Sequence, residues 1–236
     1  MIDVRNLTVA YGGNVVLDNV NLQINPGQMT IIVGSSGCGK SVLMRTILGL
    51  KIPQKGEVIL FGENMFLLNH AMQNEMRKKI SMLFQSAALL DSMNVFQNVA
   101  LPAVEHLKLS EDELSQLVQE KLKLVGLENI LEKYPSELSG GMKKRVGLAR
   151  AIILEPEYII YDEPTTGLDP IIAGGITELI KKLDKRSTSI IVTHDLKCIE
   201  KLAGRIVMLD DKKIIFDGSY EDFKNSKLEK IIKFLA

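Results

Sequence analysis

The sequence predicts an α/β fold built on a doubly wound, mainly parallel sheet, and three observations carry that prediction. A glycine-rich loop, Gly34 to Ser41, sits between an apolar strand and a helix. Apolar runs of the kind buried on both faces recur at Ile31 to Val33, Tyr158 to Tyr161, Ile190 to Thr193 and Arg205 to Leu209. Helical patterns separate most of these runs, which is how parallel strands joined by crossovers read.

Residues 1 to about 28 read as short alternating strands, broken by Tyr11-Gly12-Gly13-Asn14 and Asn25-Pro26-Gly27. Those glycine pairings are strong turn punctuation, and an antiparallel β subdomain is expected at this end. Met29-Thr30-Ile31-Ile32-Val33 leads into the glycine-rich loop, and a helix from Val42 to Leu50 leaves it. A further strand, Glu57 to Phe61, follows Lys55-Gly56 and closes at Gly62. Between about Ser86 and Glu137 the pattern becomes helical without strands. Ser110-Glu111-Asp112-Glu113 is a capping box, opening a helix with Leu114, Leu117, Val118, Leu122 and Val125 on one face and Gly126 at its end. The expectation is a single domain over 1–236, with a core of about 1–85 and 156–236 and an α-helical subdomain of about 86–155 inserted in it. Tyr220 to Ala236 reads as one or two basic amphipathic helices. Phe223, Leu228, Ile231, Ile232 and Leu235 form an apolar side, expected to cap the chain's own sheet rather than to reach a neighbouring subunit.

Composition narrows the function. Lys+Arg and Asp+Glu both number 29, so the formal charge is zero and the positive excess of a general nucleic-acid binder is missing. The chain is 46% hydrophobic with a mean hydropathy of +0.10, apolar enough to suit a partner, yet no uninterrupted apolar stretch approaches the roughly 18 residues of a membrane span. Met1-Ile2-Asp3-Val4-Arg5 carries no signal-peptide pattern. Two cysteines, Cys38 and Cys198, make no disulfide framework, and a reducing cytosol is expected.

Gly34-Ser35-Ser36-Gly37-Cys38-Gly39-Lys40-Ser41 has the full GxxxxGK[ST] spacing. Its glycines let the backbone wrap a phosphate chain with N–H groups inward; Lys40 reaches the β- and γ-phosphates, and the Ser41 hydroxyl ligates Mg²⁺. The helix that follows turns its positive end to the same anion. A second acidic site ends the strand Tyr158-Ile159-Ile160-Tyr161-Asp162-Glu163-Pro164. Asp162 is placed to hold Mg²⁺ or its water, and Glu163 to polarise a water attacking the γ-phosphate.

Leu138-Ser139-Gly140-Gly141-Met142 resembles the signature motif of ATP-binding-cassette ATPases, and it precedes the Asp-Glu strand as in that family. Tyr11 is similar to the aromatic that stacks on adenine, and Gln85 to the glutamine joining active site and helical subdomain. Asp169 in Gly167-Leu168-Asp169 resembles the loop between two subunits, and His194 the switch histidine. The resemblance spans essentially the whole chain and implies a P-loop NTPase (RecA-like) core that binds and hydrolyses ATP with Mg²⁺. It implies a head-to-tail homodimer in which Ser139, Gly140 and Gly141 meet the ATP held by a second copy. Cys38 occupies a variable loop position with no redox role, and His70 and His106 are expected to be structural or surface residues.

The stretch Ser81 to Val99, with Tyr134 to Arg145 and Gly167 to Ile171, resembles the ATPases of Mce-associated lipid transporters, which move phospholipid between inner and outer membranes. Met142 stands where many importers of the family carry glutamine. That likeness implies a peripheral subunit at the cytoplasmic face of the inner membrane, with an integral-membrane permease docked near Gln85 to Ala103 and an Mce-type lipid-binding protein as a further partner. Leu89, Leu90, Val95, Phe96 and Val99 are expected to be mostly core, with a few facing the permease. Competing readings are an importer of amino acids, osmolytes or another small solute, and a cassette protein acting on DNA or ribosomes. The second lacks the tandem cassettes or long coiled coils it usually has.

Overall fold

The computed structural model describes Met1–Ala236. In chain order the elements are β1 (Ile2–Tyr11), β2 (Asn14–Ile24), β3 (Thr30–Val33), α1 (Lys40–Ile47), β4 (Lys55–Leu60), β5 (Glu63–Asn64), α2 (His70–Lys78) and β6 (Ile80–Leu83). Three helices without strands follow: α3 (Val95–His106), α4 (Glu111–Leu124) and α5 (Gly140–Ile152). Then come β7 (Tyr158–Asp162), α6 (Pro170–Asp184), β8 (Thr188–Val192), α7 (Leu196–Leu202), β9 (Arg205–Asp210), β10 (Lys213–Gly218), α8 (Tyr220–Lys224) and α9 (Glu229–Leu235). An antiparallel sheet runs β2-β1-β4-β5, and a six-stranded sheet runs β10-β9-β3-β8-β7-β6. From β9 to β6 every pairing is parallel; β10 alone is antiparallel to its neighbour.

The central strands are buried on both faces, so alternate residues feed two cores. Ile32, Ile160, Ile190 and Val207 pack with Leu43 and Met44 of α1 and with Ile2, Val4 and Leu22 of the antiparallel sheet. Ile31, Val33, Ile159, Tyr161 and Ile191 face the other way, into a core completed by Val99, Val118, Val146, Leu148 and Ile180. No helix is long and apolar enough to cross a membrane.

Several expectations needed adjustment. The short strands expected before residue 28 are two long ones, of 10 and 11 residues, joined at Gly12-Gly13 with Tyr11 opposite Asn14. Register shifts at three places along the pair break the period-two alternation, which is why one strand reads as several pieces. Helix α1 begins at Lys40, inside the loop motif, and ends at Ile47. The capping box at Ser110 is present: Glu113 N–H donates to Ser110 Oγ at 3.4 Å, and Ser110 N–H to Glu113 Oε2 at 2.8 Å. The C-terminal segment is two helices, and Phe223 and Ile231 are buried as expected. Leu228 and Ile232, however, are 47% and 53% exposed. A seven-residue helix seats only one narrow face, and Phe234 takes the place beside Phe223, ring centroids 6.0 Å apart.

Candidate nucleotide site

The glycine-rich loop leaves β3 at the carboxyl edge of the parallel sheet, where ligands of such folds bind. Gly34 has φ +148°, and a Cβ there would lie 2.1 Å from the Leu209 carbonyl oxygen. No side chain fits. Gly39 stands at the N-cap of α1 with φ +109° and offers no side-chain cap, and the first turn of α1 holds no acidic residue. Its leading N–H groups are therefore available to an anion. Gly34, Ser35, Ser36, Gly37, Gly39, Lys40 and Ser41 line one cleft of about 530 Å³, the size of ordinary small-molecule sites. Lys40 is folded back along it, its Nζ donating to the Gly34 and Ser35 carbonyls at 2.7 and 2.9 Å.

Gln85, Asp162, Glu163 and His194 line the same cleft from the ends of β6, β7 and β8. Burial holds the Asp162 carboxyl above its ordinary range and neighbouring Glu163 adds to the rise, while Lys40, Arg45 and Lys144 oppose it. Glu163 sits at φ +48°, a backbone conformation uncommon for a residue with a side chain. The surroundings hold it there: its N–H donates to the Val192 carbonyl at 2.8 Å. Thr166 Oγ1 and Thr193 Oγ1 donate to Oε2 at 3.0 and 3.4 Å, and His194 Nδ1 lies 2.8 Å from Oε1. The carboxylate is thus oriented at both oxygens, with His194 largely solvent-exposed beside it.

Other residues singled out in the sequence stand outside this cleft. Tyr11 is exposed at the β1–β2 turn, with the Lys51 ammonium 4.2 Å from its ring centroid. Cys38 is half-buried against the core shared with the antiparallel sheet, and burial raises its thiol pKa. Ser139, Gly140 and Gly141 open α5, where Ser139 Oγ accepts from the Met142 N–H at 3.3 Å. Asp169 caps α6 by accepting from the Ile171 and Ile172 N–H groups. In turn, Val16, Val42, Val192 and Phe234 line the cleft without having been anticipated. The valines lie beside motif positions or in neighbouring strands, whereas nothing local to Phe234 points to a cleft whose phosphate loop lies more than 190 residues upstream in sequence.

The sequence pattern of the ABC transporter family matches residues 17–166. The chain belongs to that family. Among ABC transporter proteins it is 42% identical over its whole length to the intermembrane phospholipid transport system ATP-binding protein MlaF of Haemophilus influenzae, covering 90% of that protein. It is 40% identical to MlaF of Escherichia coli K12, again over all of this chain and 88% of the relative. The probable ribonucleotide transport ATP-binding protein mkl of Mycobacterium tuberculosis is 37% identical over 99% of this chain and 66% of its own length. A dimeric ATP-binding cassette solved in a post-hydrolysis state with ADP and Pi superposes with a TM-score of 0.85 and 32% identity, over 93% of this chain and 98% of that one. The two sheets and the strandless helices between β6 and β7 are accordingly those of an ABC cassette.

Proposed function

We propose that this ABC ATPase drives phospholipid transport between the inner and outer membranes, as a peripheral subunit at the cytoplasmic face beneath an integral-membrane permease. The observation that supports the cargo is the end-to-end identity of 42% and 40% to two phospholipid transport ATP-binding proteins.

The chemistry follows from the cleft. The triphosphate lies along the loop and the N-terminus of α1, and Lys40 exchanges its two carbonyl partners for β- and γ-phosphate oxygens. Ser41, Gln85 and Asp162 share the cleft and suit Mg²⁺, a hard cation usually held by one or two carboxylates together with substrate phosphates. Bound there, the ion would neutralise charge on the phosphates. Glu163 takes a proton from water as the water oxygen bonds to the γ-phosphorus. The bond from that phosphorus to the bridging oxygen breaks, and ADP departs with the electron pair, leaving phosphate. His194 orients the Glu163 carboxylate, and Tyr11 stacks on adenine. Because Ser139, Gly140 and Gly141 line none of this cleft, they act on ATP held by a second copy in a head-to-tail homodimer, with Asp169 at the seam.

A groove between β6 and the helices suits the permease. Phe84, Leu90, Leu101 and Pro102 line it with Arg77 and Arg150, and Phe84 and Leu90 are more than 40% exposed. Val95 and Val99 by contrast are core, with Leu89 and Phe96 packed on it, so the Gln85 to Ala103 region both packs and presents. An amphipathic helix of a membrane partner fits such a groove. The likeness to the mycobacterial protein supports a second reading, transport of a nucleotide-like solute.

Affinity purification from detergent-solubilised membranes separates the two. Recovery of a permease and an Mce-type protein with bound phospholipid supports the first; a permease without lipid rejects it.

A further inference from the structure

Helix α5 carries the Ser139-Gly140-Gly141 signature at its start, and two of its cations reach across to loops of the cleft. Arg150 donates to the carbonyls of Ala87 and Ala88, at 2.7 and 2.9 Å. Lys144 does something different. Its ammonium, on a residue only 4% exposed, donates to the carbonyl of Gln85 and to that of Glu163, the latter at 3.0 Å. The two residues it joins follow the ends of separate strands, β6 and β7, and both line the cleft. Both partners are carbonyl oxygens, so the ammonium is buried without a carboxylate bonded to it. That arrangement carries a desolvation cost which hydrogen bonds only partly offset. A structural anchor for the loop alone could have been a neutral donor. What the charge adds is a fixed point against the Glu163 peptide, whose φ of +48° must be held by its surroundings.

We propose that Lys144 is a positioning residue for ATP hydrolysis: by tying the Gln85 and Glu163 carbonyls to one ammonium, it sets where those two side chains stand in the cleft. The proposal rests on the reading of Glu163 as the group that takes the proton from water. The packing around α5 supports it. A Cβ on Gly147 would lie 3.0 Å from both the Ala87 Cβ and the Leu83 Cδ1, so the helix runs close enough to the β6 end for a lysine to span the gap. Removing the ammonium leaves the loop, Lys40 and Ser41 untouched. Binding should therefore survive while chemistry slows.

The test uses the transporter complex purified from membranes, carrying Lys144→Met, Lys144→Arg or Glu163→Gln. Lys144→Met is expected to lower kcat on the order of 10- to 100-fold, as misplaced catalytic groups do, with KM for ATP changed less than about twofold. It should also retain uncleaved radiolabelled ATP through gel filtration, as a complex stalled before hydrolysis does. Lys144→Arg keeps the donors and should recover most of kcat. Unchanged kcat in Lys144→Met overturns the proposal, and so does a loss carried equally by KM. If Lys144→Met does not assemble, Lys144→Ala, which also removes every donor, is judged by the same criteria. Normal turnover by Glu163→Gln would remove the reading of Glu163 itself, whereas a slow Glu163→Gln beside a normal Lys144→Met would remove only the role of Lys144.

Discussion

Lys40→Met changes the protein in two opposite states, and both changes can be worked out. In the ligand-free protein it removes two hydrogen bonds, to the Gly34 and Ser35 carbonyls. Each is worth about 1 kcal/mol net, and part of that is returned because a buried ammonium no longer has to be desolvated. The variant should lose about 1 kcal/mol, or about 2–4 °C in Tm for a chain of this size. With ATP the loss is larger, since one or two charge-assisted bonds to phosphate disappear. That amounts to about 3 kcal/mol, or a Kd weakened by about 100-fold. Parent protein at an ATP concentration of about 100 Kd gains about 2.7 kcal/mol, a rise of about 5–11 °C. Lys40→Met at the same concentration gains about 0.4 kcal/mol, a rise of about 1–2 °C. Thermal unfolding with and without ATP measures both numbers in one experiment. A variant that ATP stabilises as much as it stabilises the parent would refute the assignment of Lys40 to the phosphates.

Glu163→Gln should bind ATP with near-parent affinity and hydrolyse it at least about 100-fold more slowly, checked by equilibrium binding beside phosphate release. Ser139→Arg should leave ATP binding by the isolated subunit intact and cripple hydrolysis by the assembled complex; loss of binding in the isolated subunit would count against action in trans. Gly34→Ala should fold poorly or not at all, because its Cβ would stand 2.1 Å from the Leu209 carbonyl, and circular dichroism with thermal melting would show it. Asp162→Asn should be inactive yet more stable than the parent at neutral pH. A carboxyl whose folded pKa is raised, here by burial first, makes folding less favourable as pH rises through it. The gain of the amide is therefore full above the raised folded pKa, fades as pH falls through it, and is gone below the unfolded value of about 3.9; a Tm difference that does not depend on pH would oppose this.

What was legible in the sequence was whatever a local pattern dictates. The phosphate loop declares itself because its glycines, lysine and serine are contiguous, and the Asp162-Glu163 pair because it ends a buried run. The elements that escaped have no such local mark. Helix α2 is short and mostly polar, buries none of its residues completely, and offers only Met72 and Met76 as an apolar face. The hairpin from β9 to β10 turns on Asp211 and Lys212, with φ of 44° and 69°, where a glycine would have announced it. Nor could spacing show which motif residues share a cleft. Asp169 and His194 are each a single polar residue after a turn or a buried strand, and only the family resemblance gave them different roles. The fold sets His194 against Glu163 and leaves Asp169 capping a helix.

The division of motifs between cleft and periphery bears on how charge is managed. The whole chain is neutral, but around Asp162 and Glu163 the cations Lys40, Arg45 and Lys144 are close enough to act on the Asp162 carboxyl. Two negative groups thus stand among three positive ones, an excess far smaller than the charge of a triphosphate. Phosphate binding cannot rest on that excess alone. On the proposed function it draws as well on the uncapped N-terminus of α1, on a hard cation matched to Ser41, Gln85 and Asp162, and on donors brought by a second copy. On that reading the last two of these contributions are present only while ATP is bound. A site so nearly balanced without its nucleotide and so dependent on added partners with it is suited to assembling and releasing an interface once per hydrolysis cycle. That is what coupling ATP to movement in a membrane partner requires.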